Sequence, residues 1–345
     1  MAGLCAAARA RELGADVRLL EKGDCAGGSM ALSSGMVWRH RDWDRFRDEC
    51  SGGDAALQRV LFDRLDDGLG WLESLGAPVV ERETGNPITT GLRLDPRGLC
   101  DALLEAAGGA RLEEPLSELP PGRPVVLATG GFQAERSLLR EHVTPQADHL
   151  LLRAAPWSSG DGLRLGLGAG GTLSSGMDEV YARNMPAPPA SVRPEEFVSL
   201  GQLYARHASV RDERGERFEC RAWSEIDVAQ WTARRPRARA WYEVPDDAMD
   251  ERMRERSVGE MVAAAERAGA PVERRPGSVT VEVVAGITTT LGGLRIDEHA
   301  RAAEGVYACG ADAGGIAGGG YVSGLATALV FGRVAAESAL AEAAA

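Results

Sequence analysis

Lysine is almost missing from this chain. Lys22 stands alone among the 39 basic residues, and the rest are arginines. No basic excess exists either: acids outnumber bases 51 to 39, and the net charge of -12 argues against nonspecific nucleic-acid binding. No apolar run approaches the ~20 residues of a membrane-spanning helix. The first residues lack the basic-then-apolar order of a secretory signal. The six cysteines, at 5, 25, 50, 100, 220 and 309, include no C-x-x-C pair. That spacing argues against zinc, iron–sulfur and dithiol centres, and it suits a reducing compartment. The expectation is a cytoplasmic protein with no metal, no nucleic acid and no membrane partner.

Glycine is what the chain has in quantity. Its 43 glycines cluster at 27–35, 130–131, 160–176 and 310–324, and clustered glycine marks places where backbone must approach something closely. The opening stretch, AGLCAAARARELGADVRLLEK, has apolar residues at helical spacing, a stop at Gly14 and a short apolar run over Asp16–Glu21. Helix, glycine, strand and acid form the second half of a βαβ unit. In a dinucleotide site the pyrophosphate sits on helix N-terminal amides and an acid binds the ribose. Gly3 would then be the third glycine of G-x-G-x-x-G, and Glu21 the ribose acid. The preceding strand and first two glycines are expected upstream of Met1. Any surface helix followed by a strand reads the same way, so the rest of the chain has to decide.

Further along, helical stretches are expected over 54–76, 95–109 and 158–171, and a buried strand within 123–132. The final segment, 304–342, reads as a strand, a glycine-rich turn and a long helix. Between about 172 and 275 the style changes to arginine and acid in near balance, with Trp223, Trp231 and Trp241. This pattern predicts an α/β protein with a Rossmann-like nucleotide domain in two segments, 1–171 and 276–345. An α+β capping domain, 172–275, is inserted between them, with the tryptophans in its core.

AGLCAAARARELGADVRLLEK, GGSMALSSGMVW, DPRGLCDALLEAA, VVLATGGF, GDGLRLGLGAGG, RGERF and GVYACGADAGGIAGGGYVSGLATALVFGRVAA occur in one order. Together they resemble the FAD-binding flavoproteins of the fumarate reductase and succinate dehydrogenase flavoprotein type. That group includes 3-ketosteroid dehydrogenases and tricarballylate dehydrogenase-like enzymes. The resemblance implies that Gly3 and its helix hold the FAD pyrophosphate and that Glu21, with Lys22, meets the adenosine ribose. It implies that Gly27, Gly28, Ser29, Ser33, Ser34 and Gly35 line the pyrophosphate and flavin. Thr129, Gly130 and Gly131 would approach the adenine side. Gly310 would lie near the ribityl chain, and either Asp312, one place beyond the family's glutamate, takes over that contact or the contact is lost. The last helix would begin near Ser323, Gly324 and Leu325 and aim its N-terminus at the flavin. No histidine lies in 23–37, where histidyl-linked members attach their cofactor, so the FAD is expected to be noncovalent.

Four departures argue against fumarate or succinate as substrate. The family's histidine-bearing element falls on Thr288–Gly293, a second histidine position on Arg183, an acid on Arg221 and an arginine on Tyr321. Tyr321 resembles a tyrosine of the ketosteroid dehydrogenases that bonds a substrate carbonyl; there the glycine four residues on is Leu325 here. Arg183 and Arg221 would suit a carboxylate clamp. Tyr181, Tyr204 and His207 are further candidates in the cap, the last two as an acid–base pair. The implied activity is hydride transfer between flavin N5 and a carbon beside a carbonyl or carboxylate of a small organic substrate, with an unassigned electron donor or acceptor. The alternative is a degenerate flavin- or nucleotide-binding protein without catalysis.

Overall fold

The computed structural model describes residues 1–219, 224–253 and 255–343. It divides into two compact units. The first comprises Met1–Glu135, Ala155–Glu179 and Thr289–Ala345; the second comprises Arg136–Ala154 and Val180–Thr288. The boundaries differ from 172 and 275 for a physical reason. Ser278–Thr290 is one unbroken strand, and its Gly286–Ile287 pairs in parallel with Leu151–Leu152. Most of that strand, with 136–154, therefore belongs to the second unit.

In the first unit the N-terminal helix, Ala2–Glu12, packs on the C-terminal helix, Gly324–Ala343, through small residues. Ala6, Ala10 and Ala336 are buried together, with Ala15, Val17, Val126 and Leu340 against them. The opening helix ends before Gly14 as its pattern predicts. The strand expected over Asp16–Glu21 is reduced to a single parallel bridge, Leu20 to Arg111. Strand Val125–Leu127 pairs in parallel with Val306–Ala308, which continues to Arg301–Ala303. A second, antiparallel sheet joins Met36–His40, Thr89–Leu94 and Val79–Glu81. Helix Ala55–Ser74 starts where the Asp54 carboxylate accepts from the Ala56 and Leu57 amides. Helix Pro96–Ala106 starts on Asp95, with Pro96 at its first position. Such caps are each worth about 1 kcal/mol, and Pro at the first position loses no helical hydrogen bond.

The second unit is built on a sheet around the long strand Ser278–Thr290. Its order is Val272–Arg275, Ser278–Thr290, Arg239–Pro245, Ser209–Arg211; Leu151–Leu152 and Val180–Pro186 also pair with the long strand. Helices Glu225–Ala233 and Val258–Arg267 add their apolar faces to a core of Tyr204, Val228, Tyr242, Val244, Met261, Val281 and Val283. Trp231 and Trp241 are not among the fully buried residues of that core. Trp231 is half-buried at its edge, 5.7 Å from the Phe218 ring. Trp241 alternates with the buried Ala240 and Tyr242 and so lies on the opposite sheet face, with Arg211 over its ring at 5.9 Å. Trp223 lies outside the described residues.

Candidate functional site

The strand Met36–His40 and the start of the C-terminal helix meet in the first unit. Ser323 is buried, and its hydroxyl donates to the Met36 carbonyl at 2.9 Å. The Ser323 carbonyl accepts from the Ala326 and Thr327 amides. The helix's first amide, that of Gly324, donates to the Tyr321 hydroxyl at 3.0 Å. The next amide, Leu325, makes no hydrogen bond among the described residues, as expected in a first helical turn. The Tyr321 and Trp38 rings form a T-shaped pair with centroids 6.0 Å apart, and Trp38 meets His40 at 5.5 Å. Behind them, a Cβ at Gly320 would fall 1.8 Å from the Glu49 carbonyl oxygen. Only glycine lets the chain pass there.

The other predicted cofactor residues lie in the same unit, and several have partners within the chain. Both Asp312 carboxylate oxygens are used: Thr129 donates through its amide and its hydroxyl, and Gly131 through its amide. Burial raises the Asp312 pKa, and those three donors oppose the rise. Asp312 thus clamps the glycine turn that follows strand Val125–Leu127. Lys22 donates to Ser159 and pairs with Asp161, each at 2.7 Å. Ser29 accepts from the Ala155 amide and Ser33 from that of Gly35, while Ser34 is exposed. Gly3, Gly27, Gly35, Gly130 and Gly310 sit hard against Ala128, Cys100, Leu94, Ser158 and Ala2 respectively. Their lack of a side chain therefore has a packing cause.

Gly28 is different. Its φ is +52° and a Cβ there would meet nothing within 4 Å, so its backbone faces open space. Glu21 is half-buried; one carboxylate oxygen accepts from the Gly23 amide at 2.8 Å. Among the described residues its other oxygen makes no hydrogen bond. An open glycine turn, a partly engaged carboxylate and an unengaged helix-terminal amide suit a long anionic dinucleotide.

A model of the FAD-binding domain family matches residues 1–122 and 109–324. The chain belongs to that FAD-binding family. Among curated proteins no match was found. Its fold is similar to that of a flavocytochrome c3 fumarate reductase in the open conformation. That likeness has a TM-score of 0.72 and 20% identity, over 99% of this chain and 77% of the other. It is also similar to 3-ketosteroid-delta4-(5alpha)-dehydrogenase from Rhodococcus jostii RHA1 in complex with 4-androstene-3,17-dione. Here the TM-score is 0.68 at 17% identity, covering 98% and 94% of the two chains. A third likeness is to 3-ketosteroid delta1-dehydrogenase from Sterolibacterium denitrificans, with a TM-score of 0.70 and 15% identity, covering 99% and 98%.

The second unit of this FAD-binding family member carries the other predicted side chains. Arg183, on strand Val180–Pro186, donates from Nε to the Tyr181 hydroxyl at 3.1 Å and lies over that ring at 5.0 Å. Its neighbour Asn184 points inward and donates to Thr232 and Tyr242. His207 ends the short turn Ala205–His207 and is half-buried. The expected pairing of Tyr204 with His207 is not made. Tyr204 is fully buried and donates to Gln202 at 2.9 Å. Burial holds its phenol, like that of Tyr242, above the ordinary range. Arg221 lies outside the described residues. Sequence reasoning missed Trp38 and His40. Their only signal is a tryptophan and a histidine in the short strand Met36–His40, at alternate positions.

Proposed function

We propose that the chain is an FAD-dependent oxidoreductase acting on the C–C bond beside a carbonyl or carboxylate of a small organic molecule. The observation that carries this reading is a phenol, Tyr321, bonded to the first amide of a helix in an FAD-binding domain. Bound FAD supplies a hydride acceptor or donor at N5. Gly3 with its helix, Glu21, Gly28 and the Leu325 amide would hold the cofactor, noncovalently. Tyr321 polarises the substrate carbonyl or exchanges a proton with it. A hydroxyl that accepts from an amide becomes a stronger donor, and a phenol avoids the desolvation of a buried charge. Arg183 contributes a planar cation for a carboxylate, and His207 a proton-exchanging group. The fumarate reductase and steroid dehydrogenase likenesses support small-molecule substrates.

The test is anaerobic. Flavin-loaded protein is bleached with dithionite, and α,β-unsaturated ketones and acids are added one at a time. At least one should restore the oxidised spectrum. Tyr321→Phe should slow that step at least about 10-fold, within the range of general acid–base effects, with its FAD content unchanged. An unchanged rate removes Tyr321 from the chemistry. If no compound reoxidises the flavin or, in the opposite direction, reduces it, the chain is a flavin-binding protein without catalysis.

A further inference from the structure

We propose that His40 is a positioning residue for Tyr321, holding the phenol through Trp38. The proposal rests on Tyr321 being the acting phenol. His40 is 4% exposed. Its ring stacks on Phe46 at 5.4 Å and 24° and meets Trp38 in a T-shaped pair at 5.5 Å. Trp38 in turn abuts Tyr321, whose hydroxyl is fixed by Gly324. A continuous row therefore runs Phe46, His40, Trp38, Tyr321, helix N-terminus.

The Tyr321 backbone weakly favours the protonated form of His40, against the larger effect of burial. Yet neither ring nitrogen makes a hydrogen bond among the described residues. A buried polar ring without such bonds calls for a reason. Phenylalanine would fill this stack without leaving polar atoms unsatisfied, so packing alone does not explain a histidine. What a histidine adds to this stack and phenylalanine cannot is a proton, taken up next to Trp38 and, through it, next to Tyr321. Burial lowers the His40 pKa and keeps the ring neutral near pH 7.

The groups facing the ring are few. Helix Trp43–Glu49 brings Arg45 and Glu49, which pair with each other at 3.2 Å and act on His40 with opposite signs. Cys50 shares the Tyr321 backbone, and burial pushes its thiol up to about 12, so it stays neutral. On the strand itself Arg39 is held by Asp66 and by the His40 carbonyl. Protonating His40 therefore places a new charge among aromatic rings and moves the row that ends at Tyr321.

The test needs neither substrate nor turnover, so its failure is separable from failure of the proposed function. The protein is labelled with [ζ-13C]tyrosine; the chain has five tyrosines, and Tyr321→Phe assigns one signal by its loss. From about pH 8 to about pH 4.5 the Tyr321 signal should shift with a midpoint below the ordinary histidine value of 6.5. That midpoint should equal the one read from the His40 imidazole itself. The shift should vanish in His40→Phe and in His40→Asn, either of which suffices if the other fails to fold. A Tyr321 signal that stays still, a midpoint unlike that of His40, or a shift surviving the substitution overturns the proposal. A purely structural histidine would leave the pH response of Tyr321 intact after substitution.

Discussion

Two buried ionisable side chains, His40 and Asp312, are pushed in opposite directions by the same cause. Burial lowers the base and raises the acid. For His40 the consequence for stability has a definite sign. Its folded pKa lies below 6.5, so the unfolded chain takes the proton first. The contribution is complete above 6.5 and is lost as pH falls from 6.5 towards the folded value. Thermal melts should therefore show a shallower acid-side fall in Tm for His40→Phe than for the wild type; parallel curves contradict this. The glycine-rich motif marked Asp312 as a candidate in the sequence. Its partners were not legible, because Thr129 and Gly131 lie 183 and 181 residues away. The role of His40 was not legible, since neighbours along a strand do not reveal which rings a side chain stacks between.

Elements with their own start and stop signals were readable in advance. Asp54, Asp95 with Pro96, Gly14 and Gly76 sit where the structure begins or ends helices. The stretch Asp16–Glu21 was misread as a strand, because a strand exists only with a ladder partner and this one has a single bridge. How helices grip each other was also hidden. Arg333, on the C-terminal helix, is buried to 7% side-chain exposure. It pairs at 2.8 Å with Asp67 of helix Ala55–Ser74 and lies over Trp71. Removing the carboxylate leaves a buried guanidinium without its anion. Because Asp67 itself is 74% exposed, the loss in Asp67→Ala should be about 1–3 kcal/mol, below that of a fully buried pair. Urea unfolding measures it, and an unchanged midpoint refutes the reading.

For the whole molecule, the order of the motifs carried more than any single one. The glycine-rich C-terminal run, the opening helix and the Val125–Gly131 strand and turn belong to one unit, joined by Asp312 on Thr129 and by the alanine contacts of the two terminal helices. Composition located the inserted segment but not its limits, since the strand Ser278–Thr290 keeps the apolar, glycine-containing style of the FAD-binding segments while most of it belongs to the other unit. The central claim is that this chain holds FAD, and cofactor stoichiometry tests it most directly. The folded protein is incubated with excess FAD, freed of unbound ligand, then denatured, and the released flavin is measured. The account predicts about one FAD per chain at saturation, all of it released without a covalent bond. Folded protein that neither carries nor takes up flavin would contradict it.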